Sequence, residues 1–477
     1  MNELSNLDKK IKEVFPNESL LKIKGNYSVF SGKNLPSFIK DWLIKKFSDE
    51  EGKVYKEEII EFIDSHIPQK ESAQKLKGTL MLNKERIDIL TRVMIEPDIK
   101  NGIFRFSIPD LGFKYNEGKV MEEIIEKHPE LKGGEIWGVF TLRYIMEENE
   151  NFIAIVDYKP FKPYEIDLEY YKEGRKEFDI EEWVDLLIRS MEYNPNGFDS
   201  LEQKLQFISR LLVFVEPRLN MIELAPKGTG KSYIFNNLSK YGWCVSGGKV
   251  TRAKMFYDMS KNLPGYITRY DFVAFDEVQT IEFSNDEEMR AALKSYLENG
   301  KFTVGNYHGE STAGFILLGN IQLDKNLNPI NMVYFRELPE SFHESALFDR
   351  FHGFIEGWRL PRIREDLKIN GYALNVEYFT EILHSLRDRS EYSSIVDDIL
   401  EIPPKADTRD TTAIKKLATA YLKLLFPHVK DVDDINREEF EIFCLKPALE
   451  KRGIIRRQLH LMDPEYKEEL PDIRMRL

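Results

Sequence analysis

Apolar and polar positions change their period along the chain, and these changes predict the order of its elements. Residues 35–47 and 56–65 repeat apolar side chains at helical spacing, so we expect residues 1–75 to form a small N-terminal helical domain. Residues 76–164 instead contain short apolar runs separated by turn residues, which predicts strands. One helical insert, residues 120–127, interrupts these strands.

Four or five short strands with one helix predict a β-rich, OB-like domain over residues 76–164, a fold that often binds nucleic acid. An SH3-like barrel, or a sheet used only for contacts between subunits, accounts for the same pattern. The strand-forming runs are residues 86–90, 102–108, 135–142 and 152–156.

From residue 178 onward, apolar strands alternate with helical segments, which predicts a parallel α/β sheet. Asp179 and Glu182 have the spacing of a capping box that starts a helix. We expect an α/β core over residues 178–360, a helical lid over residues 361–426 and a C-terminal helical tail over residues 427–477.

The most specific motif is Ile-Glu-Leu-Ala-Pro-Lys-Gly-Thr-Gly-Lys-Ser at residues 222–232, an apolar strand that runs into a glycine-rich turn. In such a turn the backbone N–H groups face phosphate, Lys231 neutralises the β and γ oxygens, and the Ser232 hydroxyl completes a Mg²⁺ shell. The motif therefore predicts a site for ATP with Mg²⁺, although Ala225 stands where the usual pattern has glycine. The predicted nucleotide contacts are Pro226, Lys227, Gly228, Thr229, Gly230, Lys231 and Ser232.

A second apolar strand ends in two carboxylates, Asp276 and Glu277, with Asp276 45 positions beyond Lys231. At such a strand end one carboxylate holds Mg²⁺, and the next orients and deprotonates the attacking water. We assign Asp276, together with Ser232, to the metal and Glu277 to catalysis. A buried strand with a polar turn gives the same local pattern, but it does not explain the phosphate loop upstream.

A third apolar strand ends in a single amide, Asn320, 43 positions beyond Glu277. An amide there can hold the attacking water against the γ-phosphate, as sensor 1 does in AAA+ ATPases. Arg350 lies where that layout expects a residue that reaches into the neighbouring subunit's site, so it is the predicted catalytic arginine finger, with Arg336 as the rival. A surface arginine paired with Asp349 is the alternative for either residue. Arg409 opens a helix where a second sensor arginine contacts nucleotide, although a helix N-cap explains the same residues.

Between the second and third of these strands, residues 296–313 contain two β-prone runs about a Gly-Asn turn, which predicts a hairpin. Helicase-like AAA+ proteins place such a hairpin in the pore of a ring, where it follows a DNA backbone. Lys301 and His308 are the predicted nucleic-acid contacts. Protein unfoldases instead present an aromatic loop earlier in the domain, and Met-Phe-Tyr at residues 255–257 is the alternative pore loop, although it also fits a helix core.

The chain of 477 residues carries 68 Lys and Arg against 81 Asp and Glu, a net charge of −13. This charge disfavours indiscriminate nucleic-acid binding, because the phosphate backbone is bound mainly by Lys and Arg. A ring can still gather a few basic residues from every subunit on its inner surface. Lys22 and Lys24 head a basic stretch that runs to Lys46 with aromatic residues between the lysines, and both are predicted DNA contacts. An amphipathic helix with a solvated Lys face is the alternative.

The remaining composition predicts a cytoplasmic protein without a membrane partner. The two cysteines, Cys244 and Cys444, lie far apart and give no disulfide framework. The sequence has no apolar run long enough to span a membrane, and its eight histidines show no metal-ligand spacing.

On these motifs the chain resembles the BrxL family of BREX phage-defence systems, AAA+ proteins described as Lon-like. The resembling runs are residues 24–26, 178–190, 222–232, 245–249, 273–278 and 348–352. The resemblance implies a homo-oligomeric ring, a hexamer or heptamer alone or in stacked rings. Such a ring would encircle duplex DNA without sequence preference, hydrolyse ATP and act with other BREX components to restrict phage.

Members of that family carry a Lon-protease-like domain after the lid, and the stretch after Phe426 is too short for that fold. We therefore expect ATP hydrolysis without protease activity. The expected fold is a multidomain α/β protein: an AAA+ P-loop ATPase core with a helical lid, preceded by a small helical domain and an OB-like β-domain. A Lon-type ATP-dependent protein remodeller without its own protease domain is the alternative function.

Overall fold

The computed structural model describes residues 4–33, 35–49, 52–68, 70–132, 134–147, 150–260 and 263–476. These residues form two compact units. The sheet unit comprises the described residues of Met1–Gly25, Lys33–Asp41 and Ile166–Leu477, and the barrel unit comprises those of Asn26–Gly32 and Trp42–Glu165. The division into five domains drawn from the sequence stays a prediction.

The barrel unit contains a closed five-stranded barrel. In their order around the barrel the strands are Ile87–Asp98, Ile103–Ser107, Gly118–Val120, Asn151–Pro160 and Gly134–Met146. Ile89, Thr91, Val93 and Ile95 of the first strand are buried at the period of two that a covered strand face shows, and Leu90 on the opposite face is buried as well. The third and fourth strands around the barrel pair in parallel, and the other neighbouring pairs are antiparallel.

Helices accompany the barrel within the same unit. They are Lys56–His66, Ala73–Asn83 and Glu122–Lys127. Along the chain, the last of them lies between the strands Gly118–Val120 and Gly134–Met146. Ala73 and Leu80 are buried together with barrel residues, so the helix Ala73–Asn83 belongs to the barrel core. Two further helices near the start of the chain are Lys24–Tyr27 and Ser37–Lys46.

The sheet unit is built on five parallel strands. In spatial order they are Gly353–Glu356, Asn220–Ala225, Gly314–Asn320, Phe272–Phe283 and Gly242–Val250. Every residue of Asn220–Ala225 is buried, as expected for a parallel strand covered on both faces. Because the strands point the same way, their carboxyl ends share one edge of the sheet, the carboxyl edge, and their amino ends share the opposite amino edge.

Helices and short strand pairs complete the sheet unit, so the mixed α/β fold predicted from the sequence is confirmed. The helices are Asn6–Val14, Leu168–Lys176, Ile180–Ser190, Leu201–Ile208, Leu212–Val215, Lys231–Asn237, Arg252–Met255, Tyr266–Arg269, Asp286–Asn299, Ser345–Phe348, Val376–Arg387, Glu391–Ile399, Thr408–Leu425, Arg437–Phe440 and Lys446–Met462. The strand pairs are Ser19–Lys22 with Gly371–Leu374, Tyr257–Asp258 with Leu263–Pro264, Lys301–Val304 with Tyr307–Glu310, and Leu400–Glu401 with Arg474–Met475. The predicted capping box of Asp179 and Glu182 starts the helix Ile180–Ser190.

The C-terminal helix Lys446–Met462 packs into the core of the sheet unit. Its residues Ile454 and Ile455 are buried in the same apolar cluster as Ile222 of the central strand. The segment expected to be a helical tail is therefore helical and contributes to the core beneath the sheet.

Candidate nucleotide site

The phosphate loop, residues 226–232, begins at the carboxyl edge directly after the strand Asn220–Ala225. Gly228 and Gly230 have positive φ angles of 85° and 77°, in the left-handed region that glycine adopts without a Cβ penalty. A Cβ on Gly230 would lie 2.3 Å from the Tyr193 hydroxyl, so this position also requires glycine for close approach. The loop has the backbone shape of a phosphate cradle.

A buried ion pair holds this loop from the sheet side. Arg210 and Glu223 are both fully buried and share two hydrogen bonds, of which the one from Nε measures 3.0 Å. Arg210 also donates to the Thr229 carbonyl at 2.9 Å, and the Ile363 N–H donates to the Gly228 carbonyl at 2.7 Å. Breaking such a pair would leave an uncompensated buried charge, so Arg210 is held in place. Its hydrogen bond to Thr229 therefore fixes the position of the loop. Sequence motifs did not predict Arg210, because it lies outside the loop pattern.

Lys231, the first residue of the helix after the phosphate loop, contacts Asn320 at the end of a neighbouring strand. The sequence analysis assigned these two residues to the site separately. Only 6% of Lys231 is exposed, and its ammonium donates to Asn320 Oδ1 at 3.0 Å. Burial lowers the pKa of Lys231, and the carboxylates of Glu223 and Asp276 oppose that shift. A desolvated ammonium held by a neutral amide is well placed to bind phosphate oxygens instead.

Asp276 and Glu277 are adjacent but differ in exposure. Asp276 is buried, and its Oδ1 accepts a hydrogen bond of 2.9 Å from the Glu277 N–H. Glu277 is exposed, and its φ of 49° lies in the left-handed region, which costs a non-glycine residue about 1–3 kcal/mol. The pairing with the neighbouring strand is irregular between Asp276 and Ile281. One inner carboxylate and one carboxylate open to solvent are what a metal ligand and a general base require.

Gln279 fixes the backbone of Asn320. Its Nε2 donates to the Asn320 carbonyl at 2.8 Å, and its Oε1 accepts from the Asn320 N–H at 3.2 Å. The same Nε2 donates to the Glu337 carbonyl at 3.1 Å, in the short helix that carries the exposed Arg336. Gln279 was not predicted as a site residue, although it lies three positions after Asp276.

The other loop residues differ in burial and in the polar groups that they carry. Pro226 and Thr229 are buried, and the Thr229 hydroxyl donates to the Pro226 carbonyl at 3.3 Å. Lys227 is exposed and Ser232 is half-buried. The Ser232 hydroxyl and the Asp276 carboxylate offer the oxygen ligands that Mg²⁺ prefers.

Arg350 and Arg409 lie together at the amino edge. Arg350 precedes the strand Gly353–Glu356, which runs parallel to the strand that ends at the phosphate loop, so Arg350 and the loop lie at opposite edges. Its Nε is 2.7 Å from Glu298, and Arg409 is 3.2 Å from the same carboxylate and 3.0 Å from Asp349. The assignment of Arg409 to the nucleotide of its own chain does not fit this geometry, because its guanidinium is engaged at the far edge.

The alternative explanation for the sequence around Arg409, a helix N-cap, is present. The Asp407 side chain accepts from the N–H groups of Arg409 and Asp410 at the start of the helix Thr408–Leu425.

The predicted hairpin forms from the strands Lys301–Val304 and Tyr307–Glu310. Lys301 is exposed at the open end of the hairpin. His308 is exposed near the turn, where its Nδ1 lies 3.0 Å from the Thr303 hydroxyl. Both residues are therefore open to solvent, with Lys301 at the base of the hairpin and not at its tip.

The alternative pore loop at residues 255–257 is not an exposed loop. Met255, Phe256 and Tyr257 are all buried in the apolar core of the sheet unit. The Tyr257 ring stacks on Tyr307 with 3.7 Å between ring centres. These aromatic side chains are consequently unavailable to grip a passing chain.

The two lysines predicted to contact DNA near the N-terminus have different surroundings. The prediction for Lys22 is wrong, because its side chain is only 1% exposed and its ammonium lies 2.7 Å from Asp41 in a buried ion pair. Lys24 is 87% exposed and lies 3.2 Å from Glu365. An exposed pair of this kind is held weakly, so Lys24 remains a predicted contact.

Other site types receive no support within the described ranges. No helix there combines the length and the apolar character needed to cross a membrane. Over those same residues, no group of three or more His, Cys, Asp or Glu is arranged to hold a metal ion. Cys244 and Cys444 are both free thiols.

Comparison with protein families assigns a class to this geometry. Residues 153–472 match the model for the ATPase domain of Lon-like protease BrxL-like proteins, so the chain carries an ATPase domain. Residues 13–144 match the model for the N-terminal region of the BREX system Lon protease-like protein BrxL. The chain belongs to the BrxL family, which confirms the resemblance seen in its motifs.

Two relatives, both named Lon-like protease BrxL, show how far the similarity extends. The chain is 28% identical over 434 residues to the protein of Escherichia coli O9:H4 (strain HS), and 28% identical over 420 residues to that of Bacillus cereus (strain H3081.97). These alignments cover 90% and 85% of this chain and 61% of each relative. The chain thus spans about three fifths of the length of these relatives.

Proposed function

We propose that the chain is an AAA+ P-loop ATPase that binds ATP with Mg²⁺ at the carboxyl edge and hydrolyses it. The contact of 3.0 Å between the Lys231 ammonium and the Asn320 amide carries this proposal, because it brings the phosphate loop and the end of the strand Gly314–Asn320 into one site. Asp276 and Glu277 follow on the next strand of the sheet. The match to the BrxL ATPase domain supports the same activity.

In the proposed reaction the loop N–H groups and Lys231 bind the β- and γ-phosphates. Ser232 and Asp276 would hold Mg²⁺, which would supply positive charge to neutralise the phosphate oxygens. Glu277 accepts a proton from a water molecule that Asn320 orients. The water oxygen bonds to the γ-phosphorus, the bond from that phosphorus to the bridging oxygen breaks, and ADP leaves.

Arg350 is proposed to complete the site of a neighbouring subunit. The six-residue strand Asn220–Ala225 rises about 3.3 Å per residue and so separates the amino edge from the phosphate loop by about 17 Å. That distance exceeds the span of an arginine side chain, so a nucleotide that Arg350 contacts would have to be bound by another copy. There it would stabilise the charge of the transferring phosphoryl group. Arg409 lies at the same edge and is proposed to act from the same side.

Completion in trans requires an assembly of subunits, which we propose to be a hexameric or heptameric ring around duplex DNA. The exposed Lys301 and His308 on the hairpin and the exposed Lys24 supply positive charge for phosphate. The barrel is closed and five-stranded, and a helix lies between its strands Gly118–Val120 and Gly134–Met146. This arrangement supports an OB-like fold of the kind that binds nucleic acid. The BREX family implies action with other BREX components in restricting phage.

Remodelling of protein substrates is the second candidate, because both relatives are named Lon-like proteases. The burial of residues 255–257 counts against it, since they are the aromatic loop that such an activity would use.

The ATPase rate of the purified chain with long duplex DNA, compared with the rate with casein, tests this choice. DNA should raise the rate and casein should leave it unchanged, while Lys231→Ala should be inactive with either. Stimulation by casein alone would favour the remodeller, and absence of hydrolysis under every condition would contradict the ATPase itself.

A further inference from the structure

Arg452 of the C-terminal helix forms hydrogen bonds to the short segment that carries Arg350. Arg452 is fully buried. Its Nη1 donates to the Asp349 carbonyl at 3.0 Å and to the Phe351 carbonyl at 2.8 Å, the two residues that flank Arg350. Its Nη2 donates to the Asp349 carboxylate at 2.6 Å. A single guanidinium therefore fixes the backbone on both sides of Arg350.

Arg452 is itself fixed by a second buried carboxylate. Its Nε donates to Asp410 Oδ1 at 2.7 Å. The planar guanidinium holds its donors in a rigid fork, so contacts to Asp349 and Asp410 set its orientation. Loss of either carboxylate would leave the buried Arg452 guanidinium with one carboxylate partner in place of two.

The same network reaches the two arginines of the amino edge, Arg350 and Arg409, through Asp349. Its second oxygen accepts from Arg409 Nη1 at 3.0 Å. Arg409 and Arg350 then share the Glu298 carboxylate, at 3.2 Å and 2.7 Å. The positions of both guanidinium groups therefore depend on how the segment around Asp349 is held.

We propose that Arg452 is a positioning residue for the arginine that completes the neighbouring subunit's ATP site, an inference that rests on the proposed function. Arg452 is buried and acts through the backbone that carries Arg350. Displacing a catalytic group by about 1 Å can lower a rate about a hundredfold. The C-terminal helix thereby has a part in hydrolysis although no sequence motif marks it.

The variant Arg452→Lys tests the proposal, because it keeps the charge but not the planar fork that joins two carbonyls to a carboxylate. We expect unchanged ATP affinity and a fall of about a hundredfold in ATP hydrolysis. Arg456→Lys is the matched control, since Arg456 lies one turn further along the same helix, is buried and faces Asp410 at 3.3 Å. The control should hydrolyse ATP at nearly the wild-type rate.

Mixed rings separate positioning from a general loss of structure. Glu277→Gln subunits keep an intact Arg350 and Arg452, so they can complete the ATP sites of Arg452→Lys neighbours. The mixture should hydrolyse ATP faster than the sum of the two proteins measured apart. A wild-type rate for Arg452→Lys, a loss of its ATP affinity, or no recovery on mixing would overturn the proposal.

Arg350→Ala mixed with Glu277→Gln provides the reference. Recovery in this mixture without recovery for Arg452→Lys would overturn only the role of Arg452. No recovery in either mixture would show that Arg350 does not act in trans, and both the proposed function of Arg350 and the role of Arg452 would fall.

Discussion

The two edges of the central sheet are built in different ways. At the carboxyl edge, Lys231 and Asn320 contact each other and the Glu277 carboxylate remains open to solvent. At the amino edge, Arg350 and Arg409 are both paired with Glu298 inside the chain. The first edge has polar groups ready to receive a ligand, whereas the second holds charged side chains in fixed positions. An edge of the second kind suits a residue that is presented to another subunit.

The largest expected effect concerns the carboxyl edge. Glu277→Gln should bind ATP but hydrolyse it about 10²–10⁴-fold more slowly, because an amide cannot accept the proton of water. Lys231→Ala should lose ATP binding, because the β- and γ-phosphates lose their cation. Nucleotide titration and steady-state hydrolysis on both variants check this difference. Equal affinity and equal turnover in the two variants would contradict the site.

The amino edge should affect hydrolysis without affecting binding. Arg350→Ala should bind ATP normally and hydrolyse it at least about a hundredfold more slowly. Mixing it with Glu277→Gln should restore activity, because the second protein supplies the missing guanidinium. If mixing restores nothing, Arg350 does not act in trans, and Arg336 becomes the candidate.

A smaller effect should distinguish the two glycines of the phosphate loop. Both Gly228→Ala and Gly230→Ala force a non-glycine residue into a left-handed φ, at about 1–2 kcal/mol. Only the Cβ at residue 230 meets the Tyr193 hydroxyl, since nothing lies within 4 Å of a Cβ at residue 228. Gly230→Ala should therefore bind ATP about tenfold more weakly than Gly228→Ala, a difference of about 1.4 kcal/mol.

Isothermal titration with ATP measures this difference. Adding Tyr193→Phe to Gly230→Ala should recover part of the lost affinity, because the hydroxyl is the nearest atom. Equal affinities for the two single variants would show that the Tyr193 contact does not shape the loop.

The smallest expected effect concerns DNA. Affinity for duplex DNA should fall steeply with salt, and Lys301→Ala should reduce the slope by about 0.9 for each Lys301 that contacts phosphate. Lys430→Ala is the control, because Lys430 is also exposed, at 60%, but lies outside the hairpin. A salt titration monitored by fluorescence anisotropy gives both slopes. An unchanged slope for Lys301→Ala would remove the hairpin from the DNA surface.

The carboxyl edge was the more predictable of the two. The phosphate-loop motif predicted Lys231, and apolar runs followed by polar side chains predicted Asp276 and Asn320, although the strand of Asp276 continues to Phe283. Parallel strands bring their carboxyl ends together, so these residues were expected at one edge of the sheet. The supporting residues Arg210 and Gln279 were missed, because they act on the loop and on Asn320 through contacts that no short motif encodes.

The amino edge and the N-terminal lysines show what sequence patterns leave out. Arg452 lies 102 positions beyond Arg350, and only the packing of the C-terminal helix brings the two segments together. Lys22 stands in a basic stretch that suggests an exposed surface, yet it is buried against Asp41. Both Arg452 and Lys22 are buried in ion pairs with residues distant in the sequence, and such pairs are not visible in a local sequence pattern.

Completion of one subunit's site by another is tested most directly by measuring ATP hydrolysis per subunit over a range of protein concentrations that spans assembly. Sedimentation and ATP binding should be followed on the same samples. We expect ATP binding per subunit to stay constant while hydrolysis per subunit rises as rings form. Constant hydrolysis per subunit, including samples in which sedimentation shows separated subunits, would contradict catalysis in trans.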